Sequence, residues 1–287
     1  MILVTGASGK LGRAVMEELL MRVPADRLIA GSRTPRDATE RGGVESRFVD
    51  FDDPGSLRAA REGVDTVLVI PTAEREGHRR RQHLAAVEAF ASVPVVAYAG
   101  IIGADVPDDN ALLETHALAE ASLRARRQST IVFRNGVYLE SLPMLLGSAL
   151  QTGVIEHPAG NGKVSWILRS ELAIAIATRL TQPVTQGCEM IPLVGDEAHG
   201  FAELATHASA IVKRAIRYAP VAVDAYRTSL AALGMSPHAV AAYVDVCAAI
   251  AAGRLESRSP AASRLLGRSP TGALQYLASA LASTPGT

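Results

Sequence analysis

Aromatic side chains are scarce in this chain: they make up 4% of its 287 residues, with one Trp, five Phe and six Tyr. Cysteine is scarcer still. Cys188 and Cys247 are too few for a disulfide framework or a cysteine metal cage. Neither stands beside a His in sequence, so both read as small core-type residues. Lysine occurs only at Lys10, Lys163 and Lys213, all other cations being Arg. Charge of one sign is not in excess, because Lys plus Arg and Asp plus Glu both total 29. The basic surplus of a general nucleic-acid binder is therefore lacking. No apolar run is long enough for a transmembrane helix; the best stretch, 239–253, is cut by Asp245. The N-terminus carries neither a basic n-region nor an apolar h-region, so the protein is expected to stay in the cytoplasm. A neutral surface permits a homodimer. With 48% hydrophobic and 20% charged residues, the chain is too apolar to be disordered and has ample material for a core.

The first half alternates between two kinds of segment. Short β-branched runs at 2–5, 28–30, 67–70, 93–98 and 130–133 read as buried strands, and 46–49 looks like a further strand. Between them, 10–22, 56–62, 77–91 and 112–127 carry helical spacing. Such alternation predicts a parallel sheet with helices on both faces. Past residue 153 the pattern changes. The turn-rich Pro158-Ala159-Gly160-Asn161-Gly162 precedes a strand, Ser170 reads as the N-cap of a helix ending near Leu180, and 190–194 is a further short strand. Ala-rich helical sequence then fills 201–218, 223–233, 237–252 and 271–282, and the tail 283–287 reads as frayed. The expected division is an α/β domain over 1–153, with 163–182 returning to it, and a smaller, mainly helical domain over 154–287.

The strongest motif is Gly6-Ala7-Ser8-Gly9-Lys10-Leu11-Gly12, which follows the first strand and opens the first helix. That is the context a dinucleotide fingerprint requires. Gly6 permits the tight turn, Gly9 admits a pyrophosphate to the backbone, and Gly12 lets helix and strand pack closely. The helix N-terminus offers unpaired N–H groups and a positive dipole to phosphate. The fold class is thus a Rossmann-type, doubly wound parallel sheet. An NAD site usually has a carboxylate after the second strand, where it binds the ribose 2′-hydroxyl. Here the stretch reads Ala30-Gly31-Ser32-Arg33. An Arg with no acid beside it suits a 2′-phosphate, so NADP(H) is favoured. Lys10 either adds charge near that phosphate or is solvated. Asp50 and Phe51 lie where an adenine would be flanked, or are a helix cap and a core aromatic.

Several catalytic constellations are missing. A Tyr four residues before a Lys, the proton-relay pair of many alcohol dehydrogenases, cannot be drawn: Gly6, Ala159 and Ser209 occupy those places. There is no HExxH zinc motif, no GxSxG nucleophile elbow and no other metal signature. His116 and Glu120 share one helix face, either as a surface pair or as lining of a nicotinamide pocket.

These residues, in this order, resemble the NmrA-like branch of the atypical short-chain dehydrogenase/reductases, which holds bacterial NAD(P)H:quinone oxidoreductases and triphenylmethane reductase. The GxxGxxG spacing is typical of extended and atypical members. Further landmarks are Arg33-Thr34-Pro35, His116-Ala117-Leu118-Ala119-Glu120, Arg134-Asn135-Gly136-Val137-Tyr138, Gly160-Asn161-Gly162-Lys163 and Arg169-Ser170-Glu171-Leu172-Ala173. The resemblance spans nearly the whole chain. It implies a substrate cleft between the two domains and hydride transfer from NADPH to a quinone or similar polycyclic aromatic acceptor, which needs no Tyr–Lys pair. It implies coenzyme contacts from Gly6, Ser8, Gly9, Lys10, Leu11, Gly12 and Arg33, then Asp50, Phe51, Pro71, Thr72, Tyr98, Ala99 and Gly100. Glu120, Asn135, Gly136 and Arg169 complete that set. His116, Asn135 and Tyr138 are the candidate catalytic residues. Asn135 is also readable as a helix N-cap, and Tyr98 and Tyr138 as packing residues. Relatives often carry hydroxyl residues where this chain has Pro71 and Ala99, and small polar residues where it has Trp166 and Leu168. Trp166, with Tyr138, is expected to face a flat aromatic substrate. The alternative reading is a non-catalytic NADP-binding redox sensor, with the Arg runs at 79–81 and 126–127 as a partner surface or as solvated helix faces.

Overall fold

The computed structural model describes residues 1–35, 43–72, 76–105, 110–146 and 149–282. Alternation of strand and helix builds the first half. The elements are β1 (Ile2–Thr5), α1 (Lys10–Leu20), β2 (Leu28–Ser32), β3 (Glu45–Phe48), α2 (Pro54–Ala60), β4 (Thr66–Val69), α3 (Glu76–Ala89), β5 (Val95–Ile101), α4 (Ala111–Arg124) and β6 (Ser129–Asn135). Local chemistry starts the helices. The Asp53 side chain accepts from Gly55 N–H with Pro54 just inside α2, and Asn110 accepts from Leu113 N–H to open α4. At α1 the N-cap is Gly9, and no side chain caps the first turn. Those N–H groups are left for another partner.

The second half contributes β7 (Val137–Tyr138), the short helices α5 (Leu142–Leu145) and α6 (Ala149–Thr152), β8 (Val154–His157), β9 (Lys163–Ile167), α7 (Arg169–Leu180), β10 (Cys188–Leu193), β11 (Ala198–Gly200), α8 (Phe201–Val212) and β12 (Arg217–Pro220). It ends with α9 (Val223–Ala232), α10 (Pro237–Ala251), α11 (Ala261–Leu266) and α12 (Ala273–Ala282).

Seven strands form one sheet in the order β10-β6-β5-β4-β1-β2-β3, and every pairing within it is parallel. The chain runs β1, β2, β3 to one side, then returns to place β4 on the other side of β1. The crevice at the carboxyl ends of β1 and β4 is therefore the topological switch point, where open α/β sheets bind ligands. Both faces of the sheet are covered. Val4, Leu68, Ala97, Ile131 and Phe133 pack with α1, α7 and α11 on one face. Leu3, Val67, Val69, Val96 and Val132 pack with α2, α3 and α4 on the other. A third core, around Leu139, Trp166, Phe201, Leu204 and Ile250, holds the smaller lobe together.

Several local expectations change. The stretch 201–218 is not one helix: α8 ends where Lys213 adopts φ 51, and β12 then pairs with β8. Ser170 is not the cap of α7, since Leu168 holds that place and Ser170 lies inside the helix. Asn135 ends β6 and is followed by β7, so it caps no helix. Cys188 is exposed at the start of β10, whereas Cys247 is buried as a core residue would be. Of the later elements, β9 pairs with β7 and β11 rather than with the seven-stranded sheet, whereas β10 pairs with β6 along its length. The tail 283–287 lies outside the described residues.

Candidate active site

The switch-point crevice holds two adjoining cavities that share Ile70, Pro71 and Thr72 at the end of β4. The first, about 230 Å³, is a trough with a mixed polar and apolar lining. Gly6, Ser8 and Gly9 form its floor, and Ser32, Arg33, Asp50 and Phe51 line its far end. Gly6 has φ +65, a left-handed conformation that lets the chain turn from β1 into α1. Gly12 needs its missing side chain for a different reason: a Cβ there would lie 2.2 Å from Gly6 O. The trough thus ends on an uncapped helix N-terminus with an exposed Arg33 at its far side. A nicotinamide dinucleotide fits these residues, with its pyrophosphate on the helix end and cationic Arg33 at the adenosine end. Lys10 is exposed and does not line the trough. Thr72 is held in place, its hydroxyl donating to Gln82 Oε1 while Gln82 Nε2 donates to Asp52 at 2.6 Å.

The second cavity, about 410 Å³, is mainly apolar. Leu11, Ala99, Gly100 and Ile101 form the sheet side, Asn135, Gly136, Val137 and Tyr138 the side beyond β6. Leu112 and His116 of α4 form a third wall. Ala242, Tyr243 and Val246 of α10 close it from the smaller lobe. Arg79 of α3 also faces in, and Asn135 Oδ1 is buried without a hydrogen-bond partner in the protein.

Beneath the cavity runs a buried polar chain. Tyr98 is fully buried, and its hydroxyl lies 2.9 Å from His83 Nδ1 and 2.8 Å from His116 Nδ1. His83 Nε2 meets Thr72 O at 3.0 Å. A carbonyl can only accept, so His83 Nε2 carries the hydrogen and its Nδ1 accepts from Tyr98. Tyr98 has then given its one proton, so His116 Nδ1 donates to Tyr98, leaving His116 Nε2 a lone-pair acceptor. Burial lowers the His83 pKa to about 4, with Arg79 adding to the effect. Burial, then His83 and Arg79, also hold His116 well below its ordinary range. Burial and the Glu120 charge push the Tyr98 hydroxyl well above its usual value. All three groups are neutral near pH 7.

Besides Lys10 and Gly12, four expected site residues line neither cavity. Tyr98 lies under His116 and does not line the cavity. Glu120 is 1% exposed and bonds Arg134, with Nη2 at 2.7 Å and Nε at 3.1 Å, rather than its helix neighbour His116. The i, i+4 spacing puts both on one face, but Tyr98 and Arg134 draw them to different partners. Arg169 lies 4.4 Å over the Tyr138 ring, outside both cavities. Trp166 is 1% exposed in the core of the smaller lobe, where β9 pairs with β7, so it does not stack on anything in the cavity. Conversely, Arg79, Ser141, Tyr243 and Val246 line the cavity and were not singled out for it from the sequence. A readable signal existed for Arg79. It is buried with Gln82, His83, Ala86, Val87 and Phe90, spaced as the inward face of a helix. No local signal connects α10 to the site.

Known proteins place this arrangement. Residues 6–137 match a family described as NAD(P)H-binding. Quinone oxidoreductase 2 of Escherichia coli (strain K12) is 29% identical over 275 residues, covering 94% of this chain and 95% of that protein. The structure of the Escherichia coli NADPH-dependent quinone oxidoreductase complexed with NADPH superposes with TM-score 0.88 at 28% identity, covering 98% of this chain and all of the other. Triphenylmethane reductase of Citrobacter sp. complexed with NADP(H) gives TM-score 0.87 at 29% identity, with the same coverage of both chains. Residues 6–137 therefore carry an NAD(P)H-binding domain, and over nearly its whole length the chain is similar to NADPH-dependent oxidoreductases of Rossmann fold.

Proposed function

We propose that this protein is a cytoplasmic NADPH-dependent reductase of quinones and related flat aromatic acceptors. The observation that carries this reading is the pair of adjoining cavities: a trough on a helix N-terminus beside Arg33, next to a mainly apolar chamber. When bound, NADPH supplies a hydride. Gly6, Ser8 and Gly9 hold the pyrophosphate on backbone N–H groups, and Arg33 takes the 2′-phosphate with its planar donor fork. Asp50 and Phe51 flank the adenine. Pro71, Thr72, Ala99, Gly100, Asn135 and Gly136 surround the nicotinamide end, and His116 and Tyr138 border the acceptor. The chain's own contribution is positional: it holds two flat reactants face to face and keeps bulk water out.

The histidine on the cavity wall is not suited to give the product a proton. His116 is neutral with Nε2 as an acceptor, so it orients a donor group rather than acting as an acid. Electron-poor acceptors do not require one, because the reduced product can take its proton from water. The relatives are named for acceptors of this kind, a quinone in one and triphenylmethane dyes in another.

The test is NADPH oxidation followed by absorbance with 1,4-benzoquinone, 1,4-naphthoquinone and a cationic triarylmethane dye. Turnover with a quinone is expected. Tight NADPH binding with no turnover on any of the three would overturn the reductase reading in favour of a coenzyme-binding sensor.

A further inference from the structure

Of the three arginines in the run at 79–81, two behave as surface residues. Arg80 and Arg81 have half or more of their side chains exposed and pair with Glu114 and Asp52. Arg79 is different. It is 3% exposed and is the one charged side chain among the described residues that line the apolar chamber. Its Nε and Nη2 are buried without a hydrogen-bond partner among the described residues. The Asp245 carboxylate of α10 faces Nη2 at 3.7 Å, beyond hydrogen-bond reach. Asp245 is itself 28% exposed, so solvent screens its charge more than that of Arg79. A guanidinium left in this state is costly unless something else takes its N–H groups. Neither nitrogen bonds the neighbouring His83, Tyr98 or His116.

We propose that Arg79 sets the acceptor class of this chamber: its buried guanidinium fixes a positive charge beside the acceptor and favours substrates that gain negative charge over those that arrive as cations. The proposal rests on the reductase reading above and deepens it. A quinone takes up the hydride and its electron pair, NADPH leaves as NADP⁺, and the quinone becomes a hydroquinone monoanion. The anion takes a proton from water. A triarylmethane cation takes the same hydride at its central carbon and becomes neutral. A fixed positive charge beside the acceptor therefore stabilises the first transition state as negative charge develops. It opposes the second substrate already on binding. Asp245, reaching across from the other lobe, positions the guanidinium and tempers its charge.

The experiment compares kcat/KM for 1,4-naphthoquinone and a cationic triarylmethane dye in the natural protein, Arg79→Met and Asp245→Asn. For Arg79→Met the quinone value is expected to fall by about a hundredfold, the dye value holding or rising. Asp245→Asn is expected to move the ratio the other way. A binding measurement accompanies it: titration of the 2-hydroxy-1,4-naphthoquinone anion onto the NADP⁺-loaded protein, expected to weaken by roughly tenfold or more in Arg79→Met. Equal losses for both acceptors, or unchanged binding of the anion, would overturn the assignment. If Arg79→Met fails to fold, Asp245→Asn and the natural protein decide, and binding the dye as tightly as the anion overturns it. Absence of any turnover by the natural protein would instead remove the reductase reading, whereas turnover with an unshifted ratio removes only the role of Arg79.

Discussion

Acidification should weaken this fold before its carboxylates titrate. His83 and His157 are fully buried, and burial lowers both to a pKa of about 4. His157 sits between aromatic rings, 4.0 Å from Phe201 and 5.0 Å from Tyr226, with Cys247 Sγ 3.4 Å from its Nε2. In the unfolded chain each titrates near the ordinary value of about 6.5. Between those two values the unfolded state binds more protons than the native one, so stability falls as pH falls and is level above the unfolded value. From pH 7 to pH 5 each His contributes a loss of about 2 kcal/mol, or about 4 kcal/mol for the pair. His116 adds a loss of the same sign. For a chain of this size the melting temperature should drop by roughly 10 °C. Asp52, held at about 2 chiefly by its hydrogen bond from His78, lies below this window. The assay is thermal or urea unfolding at pH 7, 6 and 5, repeated on His157→Phe. That variant keeps the flat ring and removes the titrating group, so it should lose about 2 kcal/mol less than the natural protein between pH 7 and 5. A melting temperature indifferent to pH over this range, or a variant that falls in parallel with the natural protein, would refute the argument.

Three further outcomes are expected. Arg33→Asp should weaken NADPH binding by about tenfold or more while sparing NADH, measured by fluorescence titration, because it removes the fork proposed for the 2′-phosphate; equal losses would unseat that assignment. Glu120→Gln breaks the buried pair with Arg134, in which Arg134 Nη2 lies 2.7 Å from Glu120 Oε2. It should cost about 3 kcal/mol of stability in urea unfolding while kcat of the folded fraction holds; a lost kcat with normal stability would return Glu120 to the active site. Tyr98→Phe leaves two buried imidazole nitrogens without their shared hydroxyl. It should destabilise by about 1–3 kcal/mol and raise KM more than it lowers kcat, since His116 loses the bond that fixes its orientation.

What could be read from the chain alone was whatever depends on neighbours in sequence. The order of strands and helices through β6 follows largely from local periodicity, because the strands there, apart from the polar edge strand β3, are short apolar runs. The glycine loop was legible for the same reason. Gly6, Gly9 and Gly12 act within one turn, and the conformation of Gly6 and the closeness of Gly12 to Gly6 O are properties of that turn. Arg33 was legible because the second strand delivers its end to the same crevice in any fold of this topology.

Tertiary structure decided what depends on which face a side chain takes and what stands opposite. Trp166 and Val137 are paired on neighbouring strands, and only the packing of the smaller lobe determines that the indole turns into the core while Val137 reaches the chamber. His116 and Glu120 share a helix face. The partners that separate them, Tyr98 on β5 and Arg134 on β6, are distant in sequence and adjacent only in the sheet. The fourth wall comes from α10, more than a hundred residues from α4, and its docking turns a surface-looking Arg run into one buried cation facing a cavity. Local patterns encode the elements and their turns. The chemistry of the chamber belongs to long-range contacts, whose cost in chain entropy is met by burial that no short window of sequence records.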